Sequence, residues 1–226
     1  MESETPRLDS GIRARECSLA DILGPGCQLK MPPYQRSYSW EENEVRELLD
    51  DLQNAMETGR FHFIGAIVLV GMEDNSFQVV DGQQRLTTLT MVLATLRDLE
   101  KDPAEKAGIQ SMIGDPDRAM LGEGAIWRLT LNDVDNPFFR EAVQGEGSTL
   151  RRDIVATDDT NHEVMQKNLA FLHELLADMS EKARRNLFAT IRDRVVLVRV
   201  NVPDWDGGYE VFRVLNTRGK APNSHD

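Results

Sequence analysis

The sequence predicts a mixed α/β (α+β) fold, a small mixed sheet with a helical portion after it, and three observations predict it. Residues 63–70 form a nearly all-apolar run rich in β-branched residues, which reads as a buried strand. Residues 77–80 form a second strand, joined to the first by the polar turn 72–76, so the two make a hairpin. Leu86, Leu89, Leu93 and Leu96 then recur at helical spacing, so a helix over residues 82–100 is entered directly from that second strand.

The other elements follow in order. Residues 1–17 read as a flexible leader. Residues 18–23 form a short helical turn stopped by Gly24-Pro25-Gly26, and residues 28–31 are extended. Pro32-Pro33 exclude a helix, so Tyr34, Gln35 and Arg36 lie on a proline-stiffened loop. Ser39 ahead of Trp40-Glu41-Glu42 marks a helix start, and Val45, Leu48, Leu49, Leu52 and Met56 carry an amphipathic helix over 41–57 that Gly59 closes. Residues 102–124 are rich in glycine and proline and show little pattern. Residues 127–131 alternate like a strand, 136–143 read as a short helix and 144–148 as a loop. Helices are expected over 161–179 and 183–191, a strand over 195–200, and a short helix over 209–215 leading into Asn216-Thr217-Arg218-Gly219. The chain thus divides into the leader, a core over 18–100, and a mainly helical portion over 101–226. No internal repeat is present.

Composition narrows the function. The 226 residues are 40% hydrophobic and 28% charged, ordinary for a soluble globular chain. Lys plus Arg number 26 against 38 Asp plus Glu, a net charge of −12, which excludes a protein that holds nucleic acid by blanket positive charge. Cys17 and Cys27 make neither a disulfide framework nor a zinc site, and the four histidines show no metal-ligand spacing. The polar, acidic opening is no signal peptide and no apolar stretch is long enough to span a bilayer, so the expected place is the cytoplasm, away from membranes. The oligomeric state is open, a homo-oligomer included.

The most informative stretch is Val79-Val80-Asp81-Gly82-Gln83-Gln84-Arg85-Leu86-Thr87-Thr88. A strand ends at Asp81 and a helix begins within two residues. A helix start leaves amide N–H groups unpaired and partly positive, a ready anion site. Gly82 permits close approach, Arg85 adds a planar donor fork for phosphate, Gln83 and Gln84 can bond a base, a ribose or a water, and Thr87 and Thr88 place hydroxyls in the first turns. Plain capping explains part of this: Asp81 suits an N-cap, with Gln84 three residues on. Residues 33–40 crowd Tyr34, Tyr38, Trp40, Gln35 and Arg36, either to stack a base and hold phosphate or to staple the next helix to the core. Asn216 and Arg218 stand in what reads equally as a helix C-cap. Lys182, Arg184, Arg185, Arg192 and Arg194, with Asp193 as the one acid between 182 and 199, form a candidate DNA surface or a solvated helix face.

Four blocks in order, PPYQRSYSW, FIGAIVLV, VVDGQQRLTTL and VFRVLNTRG, resemble the N-terminal domain family of GmrSD-type modification-dependent restriction enzymes, a group that also takes in SspE of phosphorothioation-linked phage defence. The resemblance implies a ParB/sulfiredoxin-like core in which Gly82 and Arg85 hold a nucleotide or phosphate group. It links Asp81, Gly82, Gln83, Gln84 and Arg85 to NTP hydrolysis or nuclease action. It places Tyr34, Gln35 and Arg36 at the same pocket, closed by Asn216 and Arg218 from the C-terminal side. It also implies DNA, modified in some way, and a nuclease domain or subunit outside this chain as partners.

The leading expectation is therefore binding and hydrolysis of GTP or another purine triphosphate. No GxxxxGK[ST] motif is present, so a P-loop mechanism is excluded. Phosphate would rest on the Gly82 turn, with Arg85 and either Arg36 or Arg218 neutralising charge. Asp81 would hold Mg²⁺ or orient water, and Gln83 or Gln84 would place the attacking water. Two alternatives stand: a modified-DNA sensor without turnover, and a nuclease acting at Asp81. The nuclease would need further carboxylates, for which Glu41, Glu42 and Glu44 are candidates if the Trp40 loop folds over the pocket.

Overall fold

The computed structural model describes residues 11–117, 125–151 and 160–218. Among them, strands β1 (Arg13–Ser18), β2 (Gln28–Lys30), β3 (His62–Gly71), β4 (Ser76–Asp81), β7 (Leu129–Thr130) and β8 (Val195–Val202) form one mixed sheet in the order β1-β8-β3-β4-β2-β7. β5 (Gly114–Asp115) and β6 (Ile126–Trp127) pair separately. The helices are α1 (Leu19–Leu23), α2 (Glu42–Thr58), α3 (Gln83–Leu99), α4 (Pro103–Ile113), α5 (Asn136–Phe139), α6 (Thr160–Asp178), α7 (Glu181–Arg194) and α8 (Trp205–Arg218). This is the mixed α/β class the sequence predicts.

The apolar run in β3 has a physical reason. Ile67 and Leu69 enter the main core with Val79, Val195 and Leu197, while Val68 and Val70 join a second cluster with Val80, Val200 and Val202. Both faces are covered, so alternation toward water is lost. α3, packed against α4, α6 and the segment after α5, is buried nearly all round. Its threonines fit because Thr88, Thr90 and Thr95 donate to carbonyls four residues back, at 2.9, 2.8 and 2.9 Å.

Several expectations change. Residues 13–17, read as leader, belong to β1 and pair antiparallel with β8; residues 1–10 lie outside the described part. The patternless 102–124 stretch contains α4, capped by Asp102, whose carboxylate accepts from the amides of Ala104 and Glu105 at 2.9 and 3.1 Å. Its proline sits at the first helical position, where no N–H is needed, so Pro103 starts the helix. The strand expected over 127–131 splits at Arg128, one half pairing with β5 and the other with β2. The division at residue 100 does not separate the sheet, because β8 lies between β1 and β3.

α8 is longer than expected. It starts at Trp205 and runs through Asn216 to its end at Arg218. The side chains of Asn216 and Arg218, and Gly219, lie outside the described residues, and so does their expected return to the pocket. α8 covers the second valine cluster. A Cβ on Gly208 would come within 3.0 Å of Val80 and 3.3 Å of Val202, so glycine sets how closely the helix beds on the sheet.

Candidate functional site

The site forms where neighbouring strands stop at different heights. β2 pairs with β4 only as far as Lys30 opposite Gln78. Beyond that point the Gln35 amide nitrogen donates to the carbonyls of Val80 (3.0 Å) and Val79 (3.4 Å). β4 in turn ends at Asp81 opposite Val68. Beyond it, Arg85 Nη1 donates to the β3 carbonyls of Ile64 and Ala66, the latter at 3.3 Å. Two side chains thus satisfy carbonyls that a longer strand would have paired.

The strand-to-helix turn is Gly82, buried, at φ 99°, and a Cβ there would meet Ile67 Cγ2 at 2.5 Å. Gly82 is the N-cap of α3, and no side chain caps the helix. Asp81 and Gln84 therefore do not form a capping box, and capping no longer accounts for this block. Gly82→Ala is expected to cost about 2–4 kcal/mol, strain at positive φ added to overpacking against Ile67. A urea melt checks it, and a loss below about 0.5 kcal/mol would contradict the tight turn.

Gln84 holds the proline-tyrosine loop. Its carbonyl accepts from the amides of Ser39 (2.8 Å) and Trp40 (3.3 Å), and its NH₂ donates to Ser37 O (3.3 Å). Gln83 donates to Arg36 O at 3.2 Å. Tyr38 is an anchor: its hydroxyl bonds Thr88 Oγ1 at 2.8 Å and accepts from Asn168 at 3.2 Å, and burial pushes its phenol up to about 12. The loop aromatics therefore divide. Tyr38 staples, while Tyr34 and Trp40 face a cavity.

That cavity is about 650 Å³, lined by Asp81, Gly82, Gln83, Gln84 and Arg85, by Tyr34, Gln35, Arg36 and Trp40, and by α8. α8 contributes Trp205, Tyr209 and Phe212, spaced i, i+4, i+7 on one face. Tyr34 meets Trp205 edge-on at 5.4 Å, and Trp205 Nε1 is held by Gln78 at 2.8 Å. Tyr34 and Tyr209 are 68% and 65% exposed, so both rings remain open to a ligand. Sequence reading missed Trp205 and Tyr209; their helical spacing with Phe212 was the available signal. Burial lowers the Arg85 guanidinium below its ordinary value, with Asp81 opposing, yet it stays charged. Among the described residues Arg85 makes no ion pair.

Other expected residues do not join the cavity. Thr88 is turned into the core against Tyr38, and Thr87 is buried beside a small void with Asn132 and Asp135. Glu41 and Glu44 close the start of α2, where Glu44 accepts the Glu41 amide at 3.0 Å, and Glu42 pairs with Arg46 at 2.7 Å. Asp81 is the one carboxylate among the cavity's lining residues, and no group of three His, Cys, Asp or Glu able to hold a metal occurs among the described residues. Of the lining residues, Asp81 alone could give a carboxylate oxygen to a metal ion.

The basic stretch is mostly spent within the fold. Arg184 donates to the carbonyls of Leu176 and Met179 at the end of α6. Arg185 grips Glu100 with two bonds of 2.9 Å, and Arg192 grips Asp193 with two of 2.7 Å. Arg194 donates to Gly59 O. Lys182 is exposed, but the expected DNA face is not a row of free cations. Glu100 is held down to about 2, chiefly by Arg185 and then by the amides of Asp102 and Lys101. A lowered folded pKa gives stability that is present above the ordinary carboxylate value and lost as pH falls from about 4.5 toward 2. Glu100→Gln should therefore be less stable than wild type at pH 7, with the gap closing toward pH 2; a pH-independent gap in denaturant midpoints would contradict this.

Fold and site together define an α/β protein whose α3 start and Arg85 open into a cavity beneath an aromatic wall. The chain belongs to the family described as GmrSD restriction endonuclease, N-terminal domain, whose model matches residues 19–226. It is accordingly part of a restriction system. A search of the curated proteins finds no match. No helix among the described residues is long and apolar enough to cross a membrane.

Proposed function

We propose that this cavity binds a nucleoside triphosphate and hydrolyses it, as the nucleotide-using module of a restriction system directed at modified DNA, with cleavage by a nuclease domain or subunit outside this chain. The observation that carries the reading is the uncapped start of α3 opening into the same cavity as two guanidiniums and three exposed or half-buried rings of α8. Phosphates would sit on the first-turn amides, with Arg85 and Arg36 neutralising charge. The base would lie against Trp205 and Tyr209. Of the two glutamines, Gln84 is committed to the loop backbone, so Gln83 is the one whose carbonyl can accept from an attacking water. Asp81 would orient that water or meet the Mg²⁺ that accompanies the phosphates. A purine is favoured by the breadth of the ring wall.

Direct nuclease action at Asp81 is the weaker reading, since one carboxylate is thin for metal-assisted phosphodiester cleavage. Titration of wild type and Trp205→Ala with MgGTP and MgATP tests the proposal. The variant should lose about 1–3 kcal/mol of binding, a stacking contribution. Equal affinity in the two proteins would remove the base from α8.

A further inference from the structure

We infer that Gly65, on β3, is a positioning residue for Arg85: the strand bulges there to hold the guanidinium in a carbonyl cradle. β3 is one residue longer than β8 between Phe63 and Ala66, which face Val196 and Val198. Gly65 sits in that bulge at φ +94°. The carbonyls on either side of it, Ile64 and Ala66, both accept from Arg85 Nη1. A Cβ on Gly65 would stand 2.8 Å from Nη1 and 3.4 Å from Cζ. Any side chain there displaces the guanidinium from its cradle. Glycine is thus required twice, for the backbone and for the arginine lying on it.

Arg85 makes no ion pair among the described residues, and Asp81 acts on it only through space, so carbonyl dipoles fix its position while its charge stays available to the cavity. One edge is tied to β3. The rest borders the 650 Å³ cavity on one side and, on the other, a cleft of about 230 Å³ lined by Trp40, Glu44, Glu47 and Asp51. A guanidinium fixed in this way needs no reorganisation when an anion arrives. Freed, it can swing toward the acidic cleft and be lost to the cavity.

The control is built into the chain. Gly26 has φ +90° with nothing within 4 Å of the place a methyl group would take, so Gly26→Ala carries the same backbone strain without touching the site. The experiment compares Gly65→Ala, Gly26→Ala, Arg85→Ala and Gly65→Ala/Arg85→Ala by guanidinium NMR of the full chain and by MgGTP turnover. In wild type, Arg85 should show restricted guanidinium rotation. Gly65→Ala should lose that signature and raise KM or lower kcat about 100-fold, while Gly26→Ala keeps both. The double variant should be no worse than Arg85→Ala. A retained Arg85 signature in Gly65→Ala, equal effects from Gly26→Ala, or additive losses in the double variant would overturn the inference. If Gly65→Ala does not fold, a freely rotating Arg85 in wild type overturns it, and a restricted one upholds the cradle. The turnover arm rests on the nucleotide reading, but the NMR arm does not: wild type without nucleotide activity would defeat that reading and leave the cradle to be decided by NMR.

Discussion

Arg85→Ala is expected to lower nucleotide turnover about 10²–10³-fold while the protein stays folded. The side chain brings charge to the first turn of α3, where developing negative charge on phosphate oxygens would need a fixed donor; removing one such donor costs about 10²–10³ in rate. The structural loss is smaller. Arg85 satisfies the carbonyls of Ile64 and Ala66, but the site is open enough for water to replace it, so stability should fall by only about 1–2 kcal/mol. Arg85→Lys restores charge without the planar fork, and should recover little. Single-turnover assays beside circular dichroism separate the two effects. Normal hydrolysis by folded Arg85→Ala would refute the assignment.

Arg97→Ala should have the largest effect on stability. Arg97 is fully buried near the end of α3. Its guanidinium donates to Asp98 at 2.7 Å, to Gln110 at 2.8 Å, and to the carbonyls of Gln144 (2.9 Å) and Val143 (3.2 Å). Asp98 receives the amides of Gly147 and Thr149 at 2.9 and 3.0 Å. The pair therefore pins residues 143–149 onto α3. Deleting the arginine strands a buried carboxylate and several carbonyls, at a cost of about 3–5 kcal/mol. That is a large share of a typical domain's stability of about 5–15 kcal/mol. Guanidinium chloride unfolding measures it, and a loss under about 1 kcal/mol would show that water fills the gap.

These two arginines also mark what could be read in the chain. Arg85 stood out because a polar block followed a strand at a glycine, and that local signal survives folding. Arg97 did not, since an arginine among leucines and threonines reads as a solvated helix position; its burial depends on carbonyls 46 to 48 residues away. β3 and β4 were legible as apolar runs, and α2 and α3 by apolar residues at helical spacing. α4 was hidden by Pro103 and Gly108. β1 was hidden because it is an edge strand with four consecutive exposed residues and only Cys17 buried, and its partner β8 lies far along the chain. The cavity was half legible. The loop and the Gly82 turn carry motifs, whereas Trp205 and Tyr209 reach the cavity only because α8 beds on the valine face. Gln84 and Thr88 were visible as polar, but the partners that occupy them, the 37–40 backbone and Tyr38, are set by the tertiary fold. The basic count over 182–199 misled for the same reason: charges were counted without their partners.

The most direct test is a structure of the full chain with a non-hydrolysable purine triphosphate and Mg²⁺. The phosphates are expected within hydrogen-bond reach of the α3 first-turn amides and Arg85, with the base against Trp205 and Tyr209. Triphosphate bound elsewhere, or no binding at millimolar ligand with the α3 corner unchanged, would contradict the account.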